Sequence, residues 1–254
     1  MASRRRIILD TDPGVGIPGT DADDPLALLL ALGDPRLELL AVTTIFGNTP
    51  PALGARGAAK EWRLGWMALY TRSDPRGKEG AIPLPSAEEA AVKEHAVDFI
   101  IRLARENMHQ LTIVAIGPQT NVAMALLKEP RLSSWLHSIV FMDDSLTMSA
   151  RHGRRRAAGL DPTYGRGNIT PIAECNIYFD APAADIVFRS GVPLTMVGLD
   201  LRNPNSGIAL STKAITNGNP DSSSIAALFR EICQTYLSTP MFHWTHGCVL
   251  YDPL

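Results

Sequence analysis

Five carboxylates fall within fifteen residues near the start of the chain: Asp10, Asp12, Asp21, Asp23 and Asp24. They stand between two apolar runs, Ile7-Ile8-Leu9 before them and residues 25–32 after. Carboxylates at this density repel one another unless a positive charge lies among them. A hard divalent cation with oxygen ligands is the simplest compensation, and Ca2+ accepts several carboxylates together with carbonyls and waters. Spacing alone leaves a second account open, a solvated acidic loop whose aspartates cap a helix.

The elements that must carry these groups are a buried strand, a loop and a helix over residues 7–32. The strand ends at Asp10 and Pro13-Gly14 breaks it. Asp23 or Asp24 sits just before the helix, with Pro25 suited to its first turn. Further buried strands are predicted at 37–45, 111–116, 136–142 and 192–199. Helices are predicted at 92–107, from Thr120-Asn121 to 127, opening at Asp180, and over 223–237. In the first of these, Val92, Ala96, Phe99, Ile100, Leu103 and Ala104 recur at helical spacing. This alternation predicts an α/β fold, a doubly wound and mostly parallel sheet with helices on both faces. Such sheets take their ligands at the carboxyl ends of the strands, where the acidic loop lies. The length of 254 residues suits a single domain over 1–254.

A net charge of −2 argues against a general nucleic-acid binder. Arg151-His152-Gly153-Arg154-Arg155-Arg156 reads as a solvated basic loop. Cys175, Cys233 and Cys248 are odd in number and far apart, the usage of reduced thiols in a cytoplasmic protein. No apolar run reaches the length of a membrane span, and Asp10 and Asp12 interrupt any signal-like core behind Arg4-Arg5-Arg6.

Leu9-Asp10-Thr11-Asp12-Pro13-Gly14, followed by Asp23-Asp24 and an apolar helix, resembles the signature of the inosine–uridine-preferring nucleoside hydrolases. In that family the two pieces are nearly continuous, whereas this chain carries an insertion at about 16–22. The resemblance continues through Phe46-Gly47-Asn48-Thr49, Gly117-Pro118-Gln119-Thr120-Asn121 and Gly167-Asn168-Ile169-Thr170-Pro171-Ile172-Ala173-Glu174-Cys175-Asn176. It ends with Tyr251-Asp252-Pro253. It is weak over residues 50–89, and Asp143-Asp144 stands where the family has Gly-Gly. The chain also stops two residues after Asp252, which reads as a C-terminal truncation of the family's domain.

The resemblance implies Ca2+-dependent hydrolysis of the N-glycosidic bond of a ribonucleoside. Asp12, Asp24, Asp252 and the carbonyl of Ile116 would hold the ion, and Asp12 would be the general base. Asp23, Asn48, Asn168, Glu174 and Asn176 would orient the ribose, and Tyr251 would face the substrate near the leaving base. A carboxylate between amides suits a polyol, since each hydroxyl donates to the acid and accepts from an amide. Taken without the resemblance, an Asn such as Asn48 is an ordinary turn cap. A homo-oligomer, dimer or tetramer, is also implied. The alternatives are a catalytically impaired calcium- and ribose-binding homologue, and a haloacid-dehalogenase-type phosphotransferase suggested by Asp10-x-Asp12. Gly14-Val15-Gly16-Ile17-Pro18-Gly19 matches a dinucleotide-binding pattern, but Pro18 and the acidic neighbours oppose a pyrophosphate.

Overall fold

The computed structural model describes residues 4–14, 20–51, 54–55, 58, 94–143, 169–170, 173–198, 209–211, 224–238 and 247–249. Its centre is β1 (Arg5–Thr11), whose residues from Ile7 onward are all buried. Such a run needs cover on both sheet faces. The sheet has the order β2-β1-β3-β4-β5, with β2 Leu37–Thr44, β3 Leu111–Ala115, β4 Ser138–Asp143 and β5 Leu194–Gly198. Every pairing within it is parallel.

Successive side chains of a strand face opposite sides of its sheet, and both sides are occupied here. Ile8, Ala41, Ile113, Ile139 and Phe141 pack with Val97 and Ile100 of α2 (Ala96–Glu106), Val122 of α3 (Thr120–Lys128) and Val187 of a later helix, Ala181–Phe188. Leu9, Val42, Val114 and Met142 pack the other way, against Ala27 and Leu28 of α1 (Asp23–Gly33). A helix at Ser224–Ser238 then covers α1, with Ile232, Cys233 and Tyr236 against Ala22 and Leu26. The sheet is therefore doubly wound, as the alternating pattern predicts. Its strand order reverses between β1 and β3, the place where open α/β sheets form a ligand crevice.

The pairing of β1 with β2 carries one irregularity. Ile7 pairs with Leu39, but Ile8 pairs with Ala41, so β2 carries an extra residue at Leu40. Beyond this bulge Asp10 stands opposite Thr43 rather than Val42.

Local boundaries differ from the sequence reading in physically simple ways. The first helix opens at Asp23 with Ala22 at its cap position and no side-chain cap, so Asp23 and Asp24 both occupy its first turn. The buried stripe of α2 is Val97, Ile100, Ile101 and Ala104, with Phe99 and Leu103 only partly covered. Two short helices have no periodic signature: α4 (Leu132–Trp135) and α5 (Cys175–Phe179). The helix at Ala181–Phe188 is α6, capped by Asp180 Oδ1, which accepts from Ala183 N at 3.0 Å. The last helix is α7, and β6 (Ala209–Ser211) pairs antiparallel with β7 (Gly247–Val249). No described helix is long and apolar enough to cross a membrane.

Candidate active site

Asp12 leaves β1 on its carboxyl side and is 3% exposed, although it belongs to a loop. It meets α1 directly. The backbone N–H of Asp12 donates to Asp24 Oδ1 at 3.2 Å, and the hydroxyl of Thr11 donates to the same oxygen. The turn after β2 closes a third side. Asn48 donates its backbone N–H to Asp12 Oδ2 at 2.6 Å and its side-chain amide to Asp24 Oδ2 at 3.0 Å. A side chain at Gly47 is excluded here, because a Cβ would lie 1.8 Å from Asp12 Oδ2.

The loop after β3 forms the fourth side. A Cβ on Gly117 would lie 2.8 Å from Asp12 Oδ1, so this loop runs against the carboxylate. The preceding Ile116 carbonyl accepts from the side-chain amide of Asn176 at 3.0 Å. Glu174 is 1% exposed and caps α5, accepting from Asn176 N at 2.7 Å and Ile177 N at 3.3 Å. Phe46 and Phe179 meet edge to face with ring centroids 6.1 Å apart, which joins the Asn48 turn to α5.

The insertion does not separate the two acidic pieces. Thr20 Oγ1 donates to the Gly14 carbonyl at 2.7 Å, and the Thr20 side chain occupies the space a Gly14 Cβ would need. Thr49 Oγ1 holds the adjoining Pro13 carbonyl at 3.1 Å. The chain thus returns to its point of departure, and α1 starts where Asp24 can reach Asp12.

Burial dominates the electrostatics. It drives the Asp12 carboxyl well above the usual carboxylate range, and the charge of Asp24 adds to the effect. Asp24 is pushed up to about 6 by burial, opposed by donation from Thr11 and from the Asp12 amide. Asp23 is raised well above its ordinary value by burial, then by Asp21 and Asp24. Burial also pushes the Cys175 thiol up to about 12, with Glu174, Asp12 and Asp21 contributing, so it stays protonated.

Asp12, Asp24 and Asn48 touch one another directly, and Asn176 touches the Ile116 carbonyl, whose neighbour Gly117 lies against Asp12; Asp23 and Glu174 adjoin these in the chain. Asn168, Tyr251 and Asp252 lie outside the described residues. Among the described residues, no group of three His, Cys, Asp or Glu side chains forms a ligand set by itself. One atom nonetheless asks for a positive partner: Asp12 Oδ1 is buried and accepts no hydrogen bond from the described residues. That donor set, two carboxylates and a carbonyl, is all oxygen and fits a hard cation.

Sequence reasoning missed several participants. Thr11 sits between the two aspartates of the motif and binds Asp24, which the strand's alternation could have revealed. Asp10 is fully buried and pushed up to about 6 by burial, against donation from Thr43 and Asn121. Gly47 has a signal only once Asp12 is known to face it.

The sequence model of the family described as inosine–uridine preferring nucleoside hydrolase matches residues 7–254. The chain belongs to that family, whose members are metal-dependent. It is 32% identical to a pyrimidine-specific ribonucleoside hydrolase of Enterobacter sp. (strain 638), over 97% of this chain and 76% of that protein. It is 37% identical to an uncharacterized protein of Schizosaccharomyces pombe, over 77% of this chain and 61% of that protein. Among solved structures, a purine-preferring ribonucleoside hydrolase from Gardnerella vaginalis superposes with a TM-score of 0.74 at 29% identity. That match covers 98% of this chain and 78% of the other.

Proposed function

We propose that this chain hydrolyses the N-glycosidic bond of ribonucleosides, releasing free base and ribose, with Ca2+ held by Asp12, Asp24, the Ile116 carbonyl and Asp252. The observation that carries the reading is the buried Asp12 Oδ1, which has no donor among the described residues and stands beside a second buried carboxylate. When bound, such an ion supplies attraction for sugar hydroxyls and makes a nearby water more acidic. Asp12 would take a proton from the attacking water as general base.

Asn48, Asn176, Asn168 and Asp23 orient the ribose by donating to and accepting from its hydroxyls. Glu174 adds negative charge where the sugar becomes cation-like as the bond breaks. The motif match assigns Tyr251 to the departing base. One relative is named for pyrimidine and another for purine nucleosides. That contrast supports recognition through the ribose, with the base read by residues that vary.

Among the described residues Cys175 and Cys233 form no disulfide, which suits a cytoplasmic enzyme. The exposed Met124 and Leu127 on α3 are consistent with a homo-oligomer, dimer or tetramer, which sedimentation equilibrium tests. The test of function is incubation with inosine or uridine and Ca2+ in phosphate-free buffer. Free base and ribose are expected. Ribose 1-phosphate formed only when phosphate is added would make the protein a phosphorylase instead.

A further inference from the structure

Asp10 is a carboxylate that the proposed chemistry does not use. It is 0% exposed and lies two residues before Asp12, on the sheet face opposite to Thr11. One oxygen does all its visible work. Asp10 Oδ1 accepts from Thr43 Oγ1 at 2.5 Å and from the Asn121 side-chain amide at 2.9 Å. That same Asn121 amide also reaches the Thr44 carbonyl at 3.2 Å. The Asp10 carbonyl, for its part, accepts the Ile116 N–H at 2.8 Å. A single residue of β1 is therefore tied to the end of β2, the start of α3 and the end of β3.

The bulge at Leu40 is what makes this arrangement possible. Without it Val42 would stand opposite Asp10, and a one-residue shift turns the other face of a strand toward a given partner. The extra residue brings a hydroxyl to the carboxylate in place of an isopropyl group. Stability alone does not account for the device. Asp10 Oδ2 accepts no hydrogen bond from the described residues, and a buried carboxylate so sparsely served costs more than apolar side chains would. Costs of this kind are retained where function needs them.

We propose that Asp10 is a positioning residue: it locks the ends of β2 and α3 against β1, and so sets where the Asn48 turn and the Ile116 carbonyl stand relative to Asp12. The two segments it ties lead straight into those groups. Thr43 and Thr44 are followed by Ile45 and the turn that places Asn48 on Asp12 and Asp24. Asn121 and Ile116 bracket the loop whose Gly117 lies against Asp12 Oδ1. The role rests on the proposed Ca2+ site, but it concerns hydrogen bonding rather than charge.

The experiment is Ca2+ calorimetry on chelator-treated protein, with kcat and KM for uridine, well below the unfolding temperature. The variants are Asp10→Ala, Asp10→Asn, Asn121→Ala and the Asp10→Ala/Asn121→Ala double. Asp10→Ala and Asn121→Ala are each expected to weaken Ca2+ by about 10-fold or more, as lost support of a ligand does, and to lower kcat with KM little changed. Asp10→Asn keeps an acceptor for Thr43 and Asn121, so it should stay within about 3-fold of the parent. The double variant should be no worse than the worse single, since both break one linkage. If Asp10→Ala does not fold, Asn121→Ala and Thr43→Val carry the same comparison. Folded variants that bind Ca2+ and turn over like the parent would overturn the proposal, and so would Asp10→Asn as impaired as Asp10→Ala, which would mean charge is what counts. A parent chain that itself binds no Ca2+ would overturn the proposed function, and this role with it.

Discussion

The backbone N–H of Asp12 rests 3.2 Å from Asp24 Oδ1, although eleven residues separate them in the chain. Two buried carboxylates are thus fastened together by the first turn of α1, with Asn48 bridging their outer oxygens. Like charges held this close define a place for a cation. Titration of chelator-treated protein should reveal one tight Ca2+ site per chain. Asp24→Ala should weaken it by on the order of 100-fold, since a charged ligand and its hold on Asp12 are lost together. Unchanged Ca2+ binding by Asp24→Ala would remove Asp24 from the site.

Asp12→Asn separates proton removal from binding. The amide still accepts from the Asn48 N–H but has little basicity. Turnover of uridine should fall by about 100-fold or more, with KM moving far less, because general-base catalysis acts in the transition state. Steady-state kinetics at saturating Ca2+ measure the split, and a change confined to KM would assign Asp12 to binding alone.

Without a cation the site opposes the fold above mildly acidic pH. Asp10 and Asp24 titrate at about 6 in the native state, against ~3.9 for an aspartate in an unfolded chain. Between these values the native state binds more protons than the unfolded one, so stability falls as pH rises. The contribution is fully present below ~pH 4 and gone once the pH has passed ~6. Thermal unfolding in chelator should therefore show a Tm roughly 5–10 °C lower at pH 8 than at pH 5 from these groups. Added Ca2+ should recover it, with a larger gain at pH 8, where the carboxylates are ionised. Equal Ca2+ stabilisation at both pH values would contradict the assignment.

Gly47 offers a test by volume alone. Its missing Cβ would overlap Asp12 Oδ2 at 1.8 Å, and the Asn48 amide is anchored to that oxygen. Gly47→Ala must push the turn or the carboxylate aside, at a cost of about 1–3 kcal/mol for overpacking. Ca2+ affinity should drop along with thermal stability. A Gly47→Ala protein whose Ca2+ isotherm overlays that of the parent would show that this wall is looser than the geometry implies.

The strand, loop and helix around the acidic motif were legible because each signal is local. Ile7-Ile8-Leu9 reads as buried, Pro13-Gly14 as a break, and the run after Asp24 as a helix that must cover a face. Asn48, Ile116, Glu174 and Asn176 were reached through the family pattern, since alone each looks like an ordinary turn or loop residue. The helices α4 and α5 are too short for periodicity to register. The Asp10–Thr43–Asn121 linkage was out of reach for a different reason. It depends on one extra residue in β2, and which residues face each other across strands is not written in either strand by itself. The helical stripe of α2 was read with its fringe, Phe99 and Leu103, counted among its centre, because neighbouring apolar positions share the same spacing.

Thr20 folded back on Gly14 also makes the chain leave and re-enter the site region at one spot. Sequence added between those two anchors is a side branch, and its length is uncoupled from the spacing of Asp12 and Asp24. Doubling such a branch costs only ~0.6 kcal/mol of closure entropy. The position is thus a socket beside the acidic pair, where an added reporter domain is expected to leave the Asp12–Asp24 contact in place.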